Sequence, residues 1–183
     1  MTAAAGRTAS LLAVFPWCLD RVGHGNIQRM LAIVRHVAAT GTAVDFVYQG
    51  NPGVPSREGD LHWCRRVVRV DAWRSSDDAA IQRELEEFYE GFELPPANLW
   101  PGTALTRIVR GLHDALDYDA VLSCYAWTAP IFAPLARRAL RVVDVQDVIS
   151  LHAARAREAV GAHTPFSMRD DTERFLWRQW DVL

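Results

Sequence analysis

Two apolar patterns alternate along the chain, and this alternation constrains the fold more than any other feature. Ser10–Trp17 (SLLAVFPW) is a continuous apolar run ended by Pro16, as a strand buried on both faces should be. Ile27, Met30, Leu31, Val34, Val37 and Ala38 then recur at helical spacing and mark one face. Asn26 is the expected N-cap, and Thr40-Gly41 the expected close. The same rhythm continues downstream. Ala43–Tyr48, Arg66–Val70, Ala120–Cys124 and Leu140–Val145 read as strands. Ile81 to Phe92, Ala104 to Leu116, a segment capped by Thr128, and Asp170–Trp180 read as helices. Strands alternating with amphipathic helices predict an α/β fold: a single Rossmann-like domain over residues 1–183, its parallel sheet covered by helices on both faces. Ligands of such sheets gather at the carboxyl ends of the strands, here the loops 16–26 and 49–60 and the segments 124–128 and 146–152.

Charge excludes several chemistries. All 20 basic residues are arginine, so no lysine can act as Schiff base, general base or P-loop cation. The net charge of −2 lacks the basic surplus of nucleic-acid binders, so no nucleic-acid partner is expected. Cys18, Cys64 and Cys124 are scattered and odd in number, and the six histidines form no metal spacing. Neither a disulfide framework nor a metal site is expected, and no cofactor is assigned. No apolar run reaches the roughly 18 residues of a membrane span, and Leu11–Leu19 lacks a leader's small-residue cleavage site. The expected setting is cytoplasmic, with membrane contact at most peripheral.

The most informative local signal is Gly23-His24-Gly25-Asn26, between the first strand and the first helix. Glycines there let a phosphate or sugar approach the backbone, and a helix N-terminus favours anions. The competing reading is a turn that merely needs glycine. The dinucleotide fingerprint is incomplete: its third glycine is missing. The acid twenty residues after Gly25, Asp45, falls inside a strand. A nicotinamide oxidoreductase is therefore disfavoured. Tyr125 and Trp127 put aromatic rings at the same sheet edge, suited to stacking on sugars or to rim packing. Asp144 and Asp147 flank the end of the fifth strand with Gln146 between them, and each aspartate reads equally as a base or a turn residue. Arg65, Arg66 and Arg69 read as an ordinary solvated face.

The apolar strand, the Gly-x-Gly loop, the helix IQRMLAIVRHVAATG and the strand AVDFVY together resemble the opening of GT-B glycosyltransferases of the family-4 type. Residues 118–127 (YDAVLSCYAW) resemble that family's D-V-V-x-x-H strand, and 142–150 (VVDVQDVIS) its D-x-H-D-V-x-S segment. The resemblance is diffuse over nearly the whole chain and sharpest at 142–150.

It implies a two-domain enzyme that transfers sugar from a nucleotide donor with retention of configuration, without a bound metal. This chain would supply the N-terminal, acceptor-side half. A C-terminal donor domain, in the same polypeptide or a partner, would complete it. The implied ligands are a nucleotide sugar and a carbohydrate or lipid-linked acceptor. Carried over by position, Gly23, His24, Gly25 and Asn26 form the loop near the donor diphosphate. Tyr125 and Gln146 stand where many members have histidines, and Asp147 matches. No catalytic residue is assigned, and the half-enzyme alone is expected to be inactive. The alternative is a non-catalytic α/β binding module, or one subunit of a split glycosyltransferase.

Overall fold

The computed structural model describes residues 8–16, 19, 25–50, 58–71, 83, 103–132, 135 and 139–145. Five strands form one sheet: β1 (Ser10–Phe15), β2 (Ala43–Gln49), β3 (Arg66–Val70), β4 (Ala120–Cys124) and β5 (Leu140–Asp144). All neighbours are parallel, in the order β3-β2-β1-β4-β5. Helix α1 (Gly25–Ala39) follows β1, and helix α2 (Thr103–Leu116) precedes β4. Short 3₁₀ turns occupy Glu58–Leu61 and Ala126–Phe132.

All six residues of β1 are buried, as its unbroken apolar run requires. Its side chains alternate between two cores. Leu11, Ala13 and Phe15 join Val44, Phe46, Leu122 and Cys124 beneath Ile27, Met30 and Val34 of α1. Leu12 and Val14 join Val47, Val121, Leu105 and Val109 on the α2 side, with Ile131 and Phe132 from the turn after β4. The two helical stripes therefore cover opposite faces of one sheet, the arrangement expected of a doubly wound α/β domain. At the outer strand the covering is incomplete: Leu140 is 66% exposed and Val142 38%.

Two expectations need correction. Helix α1 begins at Gly25, one residue before the expected cap, and the Asn26 amide donates to the Tyr125 hydroxyl. The segment after β4 is a 3₁₀ turn, with Thr128 inside it. The Thr128 hydroxyl donates back to the carbonyls of Cys124 (2.6 Å) and Tyr125 (2.8 Å), tightening the chain reversal where a helix was expected. The helices expected over 81–92 and 170–180 lie outside the described residues.

The amino edge of the sheet is held by polar contacts. The Asp119 carboxylate accepts from the Ser10 backbone N–H (2.8 Å) and hydroxyl (3.0 Å), joining the starts of β1 and β4. Asp45, fully buried, accepts two hydrogen bonds from Arg65 (2.9 Å each) and one from the Tyr118 hydroxyl, while Arg66 lies 3.8 Å away. Arg65 and Arg66 are thus not merely a solvated face. Desolvation acts against the Asp45 charge, but Arg65 and Tyr118 together hold its pKa below the usual carboxylate value.

Candidate functional site

In the order β3-β2-β1-β4-β5, the chain leaves β1 and β4 toward opposite faces. Their carboxyl ends are therefore the topological switch point, the place where doubly wound sheets bind ligands. The first turn of α1 lies on one side of this point and Tyr125, directly after β4, on the other.

Tyr125 is 3% exposed and has φ 72°, a left-handed conformation that costs a non-glycine residue about 1–2 kcal/mol. Its surroundings enforce it. The Tyr125 N–H donates to the Asp144 carbonyl (2.9 Å), and its own carbonyl accepts from the Thr128 N–H (3.2 Å) and hydroxyl. The phenol is thereby aimed at α1, where Asn26 donates to it. Burial of a strained tyrosine at a switch point marks it as a residue held for its side chain.

One helical turn on from Asn26, Arg29 reaches Asp144 at the end of β5. Its Nη2 donates to Oδ1 (2.8 Å) and its Nε to Oδ2 (3.2 Å). The guanidinium is 58% exposed and the carboxylate 9%. Asn26, Tyr125, Asp144 and Arg29 therefore close a ring of contacts that ties α1, β4 and β5 together. Residues three apart on a helix share one side, so both of its α1 members face the ends of β4 and β5.

Gly25 answers the question left open by its sequence context. Among the described residues a Cβ there would meet nothing within 4 Å, and its φ is not left-handed. Neither backbone geometry nor packing against the described residues demands glycine at this position, and a helix N-terminus suits an anion.

Of the residues expected at the site, the structure brings together Gly25, Asn26 and Tyr125. Trp127 lies in the Ala126–Phe132 turn at the same edge, and its side chain lies outside the described part. Gly23, His24, Gln146 and Asp147 lie outside the described residues. Sequence reasoning missed Arg29, which sits off the apolar stripe and whose partner is 115 residues away. It weighed Asp144 as base or turn residue; the structure pairs it with Arg29. The available signal was an acid at the carboxyl end of a strand.

The edge offers a carboxamide, a phenol, a helix N-terminus and a carboxylate–guanidinium pair. Such groups orient hydroxyls and anions. Among the described residues no group of three or more potential metal ligands occurs, and no helix is long and apolar enough to cross a membrane. No protein-family model matches the chain, and no curated protein sequence matches it.

Proposed function

We propose that this chain is the acceptor-side domain of a retaining, nucleotide-sugar-dependent glycosyltransferase of the GT-B type. Its acceptor is a glycan or lipid-linked saccharide, and a donor-binding domain, linked or separate, completes the active site in the cytoplasm. The observation that carries this reading is the meeting of Asn26 and Tyr125 across the switch point, beside Gly25, whose Cβ position no described residue fills.

Glycosyl transfer passes through an oxocarbenium-like transition state, so the protein's contribution is largely positioning and charge stabilisation. Asn26, held in place by the buried Tyr125 phenol, would orient acceptor hydroxyls. The N-terminus of α1, with Gly23 and Gly25 in its loop, would face the donor diphosphate. The bidentate Arg29–Asp144 pair holds α1 and β5 at a set spacing. His24, Trp127, Gln146 and Asp147 complete the proposed lining. Because Asp144 is already engaged by Arg29, the described groups favour positioning over proton transfer, which also fits the second reading, a non-catalytic saccharide-binding module.

Calorimetry on the chain alone tests the proposal. Saccharide acceptors should bind, and Tyr125→Phe should weaken them while preserving the fold. UDP-, GDP- and dTDP-sugars should show no micromolar binding. Micromolar nucleotide-sugar binding by the isolated chain would overturn the acceptor-side assignment. Saccharide binding without transfer, after a donor domain is supplied, would favour the non-catalytic module.

A further inference from the structure

Parallel strands need a crossover, commonly helical. Between β2 and β3 its described part is a single 3₁₀ turn followed by residues 62–65. That segment shares α1's side of the sheet: Leu61, Trp63 and Cys64 belong to the core beneath α1. A cleft of about 510 Å³ lies between the segment and the flank of α1. Leu31, Ala32, Ala39 and Trp63 supply its apolar lining, and Gln28, Arg35, His36 and Asp60 its polar groups.

The arginines nearby have internal partners. Arg29 holds Asp144, Arg65 holds Asp45, and Arg69 holds Asp71. Arg35 differs: among the described residues it makes no hydrogen bond or ion pair, and it is exposed on the cleft wall. A guanidinium is a planar fork matched to a carboxylate or phosphate. Trp63 is half-buried, so part of its indole lies open as a flat apolar wall. Asp60 adds a negative charge that opposes polyanions. The cleft volume falls within the range of small-molecule sites, about 300–1,000 Å³.

We propose that this cleft binds a small amphipathic anion, a ligand with one carboxylate or phosphate for Arg35 and one flat apolar face for Trp63. The site is separate from the switch point. Arg35 lies six residues beyond Arg29, about 9 Å further along the helix axis. Its occupancy does not depend on the glycosyltransferase reading.

The test is a titration of the full chain with phenyl phosphate, benzoate, inorganic phosphate and benzyl alcohol. The readout is the Trp63 indole N–H resonance, assigned by its loss in Trp63→Phe. At least one ring-bearing anion should shift it saturably, and which of the two does so identifies phosphate or carboxylate as the preferred group. Inorganic phosphate and benzyl alcohol should each bind at least about tenfold more weakly. Arg35→Gln should weaken the ring-bearing anion by about tenfold or more with no change in thermal midpoint. Three results would overturn the proposal: no saturable shift with either ring-bearing anion, inorganic phosphate binding as tightly as they do, or Arg35→Gln titrating like the parent.

Discussion

Replacing Arg65 by methionine tests the polar lock at the amino edge of the sheet. Methionine keeps an aliphatic stem and removes the guanidinium. Asp45, fully buried, then loses both 2.9 Å hydrogen bonds and keeps only the Tyr118 hydroxyl and Arg66 at 3.8 Å. Removing one partner of a buried ion pair costs about 3–5 kcal/mol. Arg65 is itself 41% exposed and Arg66 remains, so about 2–3 kcal/mol is expected here. In a domain of this size that lowers Tm by roughly 4–12 °C. Thermal and urea unfolding of the full chain measure it, with Arg66→Met, expected below about 1 kcal/mol, as the control.

The pH dependence gives the sharper test. With Arg65 present, the folded-state pKa of Asp45 lies below its unfolded value. The pair therefore contributes stability above the unfolded carboxyl pKa of about 3.9, lost as pH falls through the folded value. Without Arg65, desolvation, the largest single influence on Asp45, is opposed only by Tyr118 and Arg66, so the folded pKa rises from its value in the parent. The variant then gains stability relative to the parent as the carboxyl protonates. The gap between the two proteins should be widest near pH 7 and shrink toward pH 3. Adding Asp45→Asn to Arg65→Met should recover part of the loss, because no buried charge is left unpaired. A gap under about 0.5 kcal/mol at pH 7, or one that widens in acid, would refute the reasoning.

Other perturbations follow from the same geometry. Gly50→Ala should cost no more than about 1 kcal/mol in chemical denaturation, because a Cβ there overlaps only the side chains of Arg69 and the exposed Asp71, which can swing aside at the expense of their surface ion pair. Thr128→Val removes the hydroxyl that serves the Cys124 and Tyr125 carbonyls; a loss of about 1–3 kcal/mol by urea unfolding is expected, with the Tyr125 ring signals shifting in NMR. The Cys64 thiol, pushed up to about 12 by burial and then by Asp45, should resist iodoacetamide at pH 8 in the native chain and react quickly in denaturant, as read by mass spectrometry. Gly25→Ala should leave Tm within about 1 °C, since it meets no crowding from the described residues and no left-handed backbone; a larger fall would show that the fold itself needs this glycine.

The elements were legible where a short-range period suffices to define them. The unbroken run of β1, the 27/30/34 stripe of α1 and the 105/109 stripe of α2 name their elements without reference to anything distant. Thr40-Gly41 marked the end of α1 correctly: Gly41 has φ 88°, and its N–H donates to the Ala38 carbonyl. The turn after β4 was misread because Ile131, Phe132 and Leu135 sit at helical spacing, whereas the chain reversal is governed by the hydroxyl of Thr128 bonding backward. The candidate loop was visible at Gly25 and Asn26, and the aromatic ring at Tyr125.

Pairings were not legible. An arginine on a helix and an aspartate ending a strand are unremarkable singly; Arg29 and Asp144 meet only because β4 and β5 lie on one side of β1 and α1 crosses toward them. Asp45 looked like a misplaced acid inside a strand until the sheet register set it opposite Arg66, with Arg65 and Tyr118 converging on it. Sequence by itself determined which residues alternate, which face of each helix is apolar, and that an α/β layer arrangement must bury them, because period and hydrophobicity are local properties. Tertiary structure alone decided strand order, the left-handed Tyr125 and the charge pairs at both sheet edges. Strand order and those charge pairs depend on contacts between residues 20 to 115 positions apart, whose geometry no local pattern encodes.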